Sequence, residues 1–261
     1  MTDLLRIERD GAVAHLVLNR PEKRNALSAE LVKEMHEAML QLNADEHIRV
    51  VVICSADKPF CAGADLGYLT QLRNNTLEEN ETDSQRLRAL FDAIYLSPKY
   101  IISQVEGPAL AGGCGLAMLA DYCIATPEAT FGYTEVKIGF IPALVMVYLR
   151  EKVGGAVMSD ILLTGRVFGA MEAQSMQLVQ RVVPADEIGD VVLTHAKQIC
   201  ETTSPQAVAK VKAMMRAIPS MHRSEALDYA ANQNAVARAS EDCKKGIDAF
   251  LNKQPLNWSK S

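Results

Sequence analysis

The sequence carries no Cys-x-x-Cys pair, no excess of basic charge and no unbroken apolar run of membrane length. Each lack removes a class of protein. Its 27 Lys and Arg are outnumbered by 32 Asp and Glu, for a net charge of −5. A nucleic-acid binder would need a basic face, and this balance speaks against one. The six cysteines, Cys54, Cys61, Cys114, Cys123, Cys200 and Cys243, are scattered and mostly sit among apolar neighbours. They read as buried thiols of a reducing compartment, neither a disulfide frame nor a zinc site, and no metal is expected. The longest apolar stretch, Pro108 to Ala125, is broken by three glycines and Asp121, which makes it a core segment and not a membrane span. Met-Thr-Asp-Leu-Leu-Arg at the start lacks the apolar centre of a signal peptide. A cytoplasmic protein with no membrane or nucleic-acid partner is expected. Glycine (15) and proline (10) are sparse in a chain that is 49% hydrophobic, the balance of a folded protein. Its 261 residues suffice for a sizeable core.

What is present centres on residues 104–142. A β-rich run, Tyr100 to Val105, is broken by Gly107 and Pro108. The pair Gly112-Gly113 follows and leads into an apolar, helix-favouring run, Leu116 to Ala120. Glycines let a backbone approach a ligand, and the helix start behind them offers unpaired N–H groups to negative charge. Further on stands Glu135, flanked by Phe131, Gly132, Val136 and Ile138. A carboxylate in such company tends towards a raised pKa, which suits a general acid or base.

The rest of the chain frames that segment. Leu4 to Arg9 and Val13 to Leu18 predict a hairpin about Asp10-Gly11, through a type I′ turn; His15 lies mid-strand and reads as structural. Asn19 to Asn25 is a polar loop with three cations, Arg20, Lys23 and Arg24, able to meet phosphates. Ser28 is a good N-cap for a helix with Leu31, Met35, Ala38, Met39 and Leu42 on one face. Arg49 to Cys54 reads as a strand buried on both faces, so strand, helix and strand form a parallel crossover. Residues 68–84 are polar and acidic without clear period and read as a mobile loop or loose helix over a pocket. A helix over Gln85 to Leu96 follows. Asp121 to Ala125 and Thr130-Phe131 read as short strands. From Leu144 the pattern turns helical, over 144–153, 156–163, 170–177, 186–201, 204–217 and 224–239, with Ser204-Pro205 a helix start.

Several blocks together resemble one family. Leu18-Asn-Arg-Pro-Glu-Lys-Arg-Asn-Ala-Leu-Ser28, Phe60-Cys-Ala-Gly-Ala-Asp-Leu66, the Gly112 pair, Phe131-Gly-Tyr-Thr-Glu135 through Pro142, Leu163-Thr-Gly-Arg166 and Ala249-Phe-Leu-Asn-Lys253 are similar to the crotonase (enoyl-CoA hydratase/isomerase) superfamily. They stand in its order over nearly the whole chain, and overall similarity leans towards methylglutaconyl-CoA hydratase-like members. The resemblance implies an α/β fold: a crotonase-like ββα spiral core with an acyl-CoA site (1–195) and a C-terminal helical assembly region (196–261) of a homotrimer or dimer of trimers. It implies an oxyanion hole from the N–H groups of Ala64 and Gly112 and catalysis by Glu135. CoA contacts would come from Lys23, Arg24, Ala62, Asp65, Leu66, Phe250 and Lys253. No cofactor is implied beyond the coenzyme A of the substrate.

Two departures bear on the reaction. Hydratases of the family use two glutamates, and the position of the first is here Gly115. The glycine-rich run after the second is replaced by Pro142-Ala-Leu-Val-Met-Val-Tyr, whose bulk should reshape the acyl pocket. The resemblance therefore implies an enoyl-CoA hydratase or isomerase working through an oxyanion-stabilised enolate, on a branched or methylglutaconyl-type substrate. The alternatives are a Δ3–Δ2-enoyl-CoA isomerase using Glu135 alone, a second acid supplied by Glu78 or Glu81, and a non-catalytic acyl-CoA-binding protein.

Overall fold

Alternating apolar residues open the chain as a hairpin, β1 (Leu5–Asp10) and β2 (Val13–Leu18). The computed structural model describes residues 4–260, except the side chains of Leu66 and Lys260. Asp10 pairs with Val13, so the turn is Gly11-Ala12, one residue later than expected. Only Gly11 there has positive φ, at +58°. A type I′ turn needs it at both central residues, and glycine-first is the type II′ pattern. Helix α1 (Ala29–Ala44) starts where Ser28 Oγ accepts the Leu31 N–H, at 3.3 Å, and buries Leu31, Val32, Met35, Ala38, Met39 and Leu42. The chain then returns as β3 (Val50–Ser55), parallel to β2.

Strands β4 (Tyr100–Val105), β6 (Tyr122–Ala125) and β9 (Arg181–Val182) extend the sheet in the order β1-β2-β3-β4-β6-β9, all parallel after the hairpin. A second sheet orders β5 (Ala109–Leu110), β7 (Thr130–Gly132) and β8 (Val167–Gly169) as β5-β7-β8. The main sheet is covered on both sides, which explains its continuous apolar runs. Leu16, Leu18, Val51 and Ile53 face α1 and the larger core. Val13, Val17, Val50, Val52, Ile102 and Ile124 face Ile188, Val192, Ala196 and Cys200 of α8 (Ile188–Thr202).

Of the mobile loop or loose helix expected over residues 68–84, the structure has helix, broken only at 73–76. Helix α2 (Leu66–Leu72) is followed, after a short break, by α3 (Leu77–Tyr95). A capping box starts α3: Glu79 N–H donates to Thr76 Oγ1 at 3.2 Å, and Thr76 N–H donates to the Glu79 carboxylate at 2.7 Å. That reciprocal pair and the favourable dipole at an acidic first turn fix the start without apolar burial. Only the second half buries residues, Leu90, Phe91, Ile94 and Tyr95. This is why no period is visible in the first half.

After α4 (Gly112–Met118) come α5 (Ala143–Leu149), α6 (Gly155–Thr164), α7 (Ala170–Ser175), α9 (Pro205–Ala217), α10 (Arg223–Arg238) and α11 (Glu241–Leu251). The expected all-helical stretch from Leu144 is corrected by β8 and β9, strands of three and two residues. The expected division at residue 195 falls inside α8, which is buried in the core as far as Cys200. Beyond it, Ser204 Oγ accepts the Ala207 N–H at 3.0 Å and caps α9. Asp121 anchors that helix: its carboxylate takes the Lys212 ammonium, stands 3.4 Å from Arg216 Nη2, and accepts the Ile101 N–H at 2.8 Å. Arg216 also stacks 3.8 Å from the Tyr95 ring centroid. Removing the shared carboxylate leaves the buried Lys212 and the half-buried Arg216 without their counter-ion. Asp121→Ala should lower the urea-unfolding free energy by about 3 kcal/mol.

Candidate active site

The site is assembled by three segments that cross at Gly63. Cys61 N–H donates to Pro108 O at 3.1 Å and Leu110 N–H donates to Cys61 O at 2.9 Å, which lays residues 61–64 beside β5. On the other side Leu27 N–H donates to Gly63 O at 2.7 Å and Asp65 N–H donates to Leu27 O at 3.1 Å. In such parallel pairing, Leu27 uses the residues flanking Ala64, so Ala64's own N–H turns towards β5 and the start of α4. Among the described residues it has no acceptor in the chain. Gly63 has φ +90°, and a Cβ on it would lie 2.9 Å from both Leu110 O and Ala111 Cβ. Only glycine fits there.

At the other edge, Ala111 is held at φ +50° and ψ −126° as the N-cap of α4, a strained backbone for a residue with a Cβ. Its N–H donates to Gly132 O at 2.7 Å, and the first helical bond runs from Gly115 N–H to Ala111 O at 3.1 Å. The N–H of Gly112, the first helical residue, therefore has no partner within α4. Two free amides, Ala64 and Gly112, flank the same crossing. Backbone donors held this way are suited to charge developing on an oxygen.

Glu135 opens a short 3-10 helix (Glu135–Ile138) just after β7. It is 8% exposed, and its Oε2 has no hydrogen-bond partner. Burial raises its pKa above the usual carboxylate range, opposed only by a bond to its own backbone. Lys137 is exposed, and no ion pair joins it to Glu135 among the described residues. Phe140 N–H donates to Glu135 O at 3.1 Å, which folds the chain back towards α5. Burial pushes the Cys61 and Cys114 thiols up to about 12. They are protonated and serve as packing, not as nucleophiles.

The structure brings some expected CoA contacts together and leaves others apart. Lys23 and Arg24 are exposed, in no ion pair among the described residues, and Ala62 N–H donates to Arg24 O at 3.0 Å. Both cations thus stand beside the 62–65 turn. Asp65 is turned inward: it caps α2 through the Gly67 and Tyr68 N–H groups, at 2.7 and 3.2 Å, and meets Arg20 Nη1 at 2.9 Å. Arg20 is thereby an internal brace and not a free cation of the loop. Leu66 opens α2, and its side chain lies outside the described residues. Phe250 is 83% exposed on α11, and the N–H of Lys253 beyond it donates to Phe250 O at 3.2 Å; among the described residues no hydrogen bond or ion pair links either to the 62–65 turn. Glu78 and Glu81 are exposed on the opening turns of α3.

Gly115 is the most informative position. A Cβ built on it would stand 2.1 Å from Val145 Cγ1 and 3.5 Å from Phe91 Cε2. Nothing in the sequence marks Val145 or Phe91 individually as a partner of Gly115. The bulk at 142–148 was the only signal, and it did not say which residue faces Gly115.

Two free amides at a strained turn, and a buried carboxylate following the strand that pairs with β5, are suited to handling protons next to a carbonyl whose oxygen takes on charge. The family described as enoyl-CoA hydratase/isomerase matches residues 8–261. A Thermus thermophilus protein named as an enoyl-CoA hydratase candidate is 40% identical over 255 residues, 97% of this chain and 99% of that one. The crotonyl-CoA hydratase of Syntrophomonas wolfei is 32% identical, covering 97% and 96%. The crystal structure of an enoyl-CoA hydratase from Shewanella pealeana superposes with a TM-score of 0.92 at 28% identity, covering 98% and 96%. The chain belongs to the enoyl-CoA hydratase/isomerase family and has the crotonase fold.

Proposed function

We propose that this enzyme moves a double bond along an enoyl-CoA, with Glu135 as its one proton carrier. The observation that carries this is the solitary, buried Glu135 carboxylate, set against a carbon-filled position at Gly115. Glu135 takes a proton from C2 of a 3-enoyl thioester, and the electron pair moves onto the thioester oxygen, held by the Ala64 and Gly112 N–H groups. The carboxylic acid so formed returns the proton at C4, giving the 2-enoyl thioester. Nothing is consumed, and no cofactor beyond the CoA of the substrate is required.

Hydration is the second reading, favoured by the name of the Syntrophomonas relative. Two assays separate them. Interconversion of 3-enoyl- and 2-enoyl-CoA without 3-hydroxyacyl-CoA is the expected result; rapid formation of 3-hydroxyacyl-CoA would overturn it. Inactivity in both assays would support a non-catalytic acyl-CoA binder. Of the acyl groups expected, the apolar filling at Gly115 by Val145 favours a branched hydrocarbon over a carboxylated methylglutaconyl group. Lys23 and Arg24 suit the CoA phosphates. Six free cysteines support a reducing compartment such as the cytosol.

The C-terminal helices support assembly. Among the described residues α10 and α11 bury none, and α9 buries only Lys212. Val211, Met215, Leu227, Val236, Ile247, Phe250 and Leu251 are exposed. Helices of this kind need a partner for their apolar faces. A trimer or dimer of trimers would cover them, and it is there that Phe250 and Lys253 would meet CoA. Light scattering should give a multiple of three times the 28.5 kDa chain. A soluble, active monomer would exclude this.

A further inference from the structure

The position of Gly115 is filled by another residue of this chain. Gly115 is fully buried one turn into α4, and Val145 of α5 sits on its bare Cα: an added Cβ would come within 2.1 Å of Val145 Cγ1 and 3.0 Å of Val145 Cβ. Phe91 of α3 closes the same spot at 3.5 Å. This wall is stiff. Phe91 meets Tyr148 edge-on with centroids 5.9 Å apart, Tyr95 meets Tyr148 at 4.9 Å, and Tyr148 Oη donates to Asp92 Oδ1 at 2.8 Å. Val145 itself is buried. The wall also belongs to the catalytic region. Glu135 lies near enough to Cys114, the neighbour of Gly115, for its charge to raise that thiol's pKa, and the Phe140–Glu135 bond ties the lead into α5 back to Glu135.

We propose that Val145, seated on Gly115 and backed by the fully buried Phe91, is a specificity-determining residue: it fills with carbon the space a side chain at 115 would take, which keeps the reaction at proton transfer and excludes the addition of water. This rests on the isomerisation reading above. A hydrating enzyme must hold a water against the double bond with polar groups, and these two side chains offer none. Excluding water also protects an enolate from side reactions. Gly115 and Val145 then form one unit. Neither can gain volume unless the other loses it.

The test uses the full-length chain as Val145→Ala, Gly115→Glu and the pair together, assayed for isomerisation, hydration and thermal midpoint. Val145→Ala should raise the hydration-to-isomerisation ratio roughly tenfold, since it opens the wall to water. Gly115→Glu alone should lower the midpoint and lose both activities, because its Cβ strikes Val145. The pair should recover part of that midpoint and hydrate faster than Val145→Ala. An unchanged ratio in Val145→Ala, or a Gly115→Glu variant as stable as the parent, overturns the role of Val145. A parent enzyme that hydrates faster than it isomerises overturns the isomerisation reading instead, and this is read before any variant is made.

Discussion

Glu135→Gln should lose at least about a hundredfold in turnover while still binding acyl-CoA, the usual scale for removing a general acid or base. The same change should leave the protein more stable near neutral pH. Glu135 is buried, its Oε2 has no hydrogen-bond partner, and its pKa is raised by desolvation. A carboxyl whose folded-state pKa lies above its unfolded value favours folding in its protonated form. Its contribution to stability is full below the unfolded pKa and is lost as pH rises through the folded one. Glutamine keeps the shape and never carries the charge, so the variant lacks this loss. Catalysis runs the other way, because the base must be ionised. Turnover should rise with pH along a limb displaced upward from the ordinary carboxylate range, and the variant should show no such limb. Chemical unfolding at neutral pH separates this from a structural role. A clearly destabilised Glu135→Gln would mean that the carboxylate is held by partners, and the base assignment would fail.

How far the sequence could carry this depends on the kind of information each element uses. Strand β4 was legible residue for residue, Tyr100 to Val105, because a run rich in β-formers, Tyr, Ile, Ile and Val, is closed by Gly107-Pro108. Helix α1 was equally open, with its Ser28 cap and one apolar face. The first half of α3 was not, since a capping box holds it and no buried face marks its period. β8 and β9 are too short for alternation to show. In the site, Glu135 could be found from its apolar neighbours and from the family blocks. The seat of Val145 on Gly115 could not, because it joins positions that only the packing of α4 against α5 brings together. Arg20 reads in sequence like Lys23 and Arg24. Its inward pairing with Asp65 depends on where the 62–65 turn lies, which no local pattern records.

The glycine pair reads in sequence as one feature, but the fold divides it, and the two halves should respond very differently to alanine. A Cβ on Gly113 would lie 2.2 Å from Cys61 O and 2.8 Å from both Cys61 C and Cys61 Cβ. Cys61 is fully buried and bonded on both its N–H and its carbonyl side to the strand at Pro108 to Leu110. Its backbone cannot retreat without moving residues 61–64, and with them the Ala64 N–H. Gly113→Ala should therefore cost at least about 3 kcal/mol, the upper range for overpacking a well-filled core, and any folded remainder should have a displaced oxyanion donor. Gly112 faces outward from that contact. A Cβ there meets only Leu27 Cδ1, at 3.2 Å, the far end of a side chain that can rotate aside. Gly112→Ala keeps the N–H and should fold, with its effect confined to turnover. Thermal melts and turnover of the two variants decide the matter. If Gly113→Ala melts like the parent, the close approach of α4 to Cys61 is not what fixes the oxyanion turn. If Gly112→Ala is the one that unfolds, the two glycines have been given each other's roles.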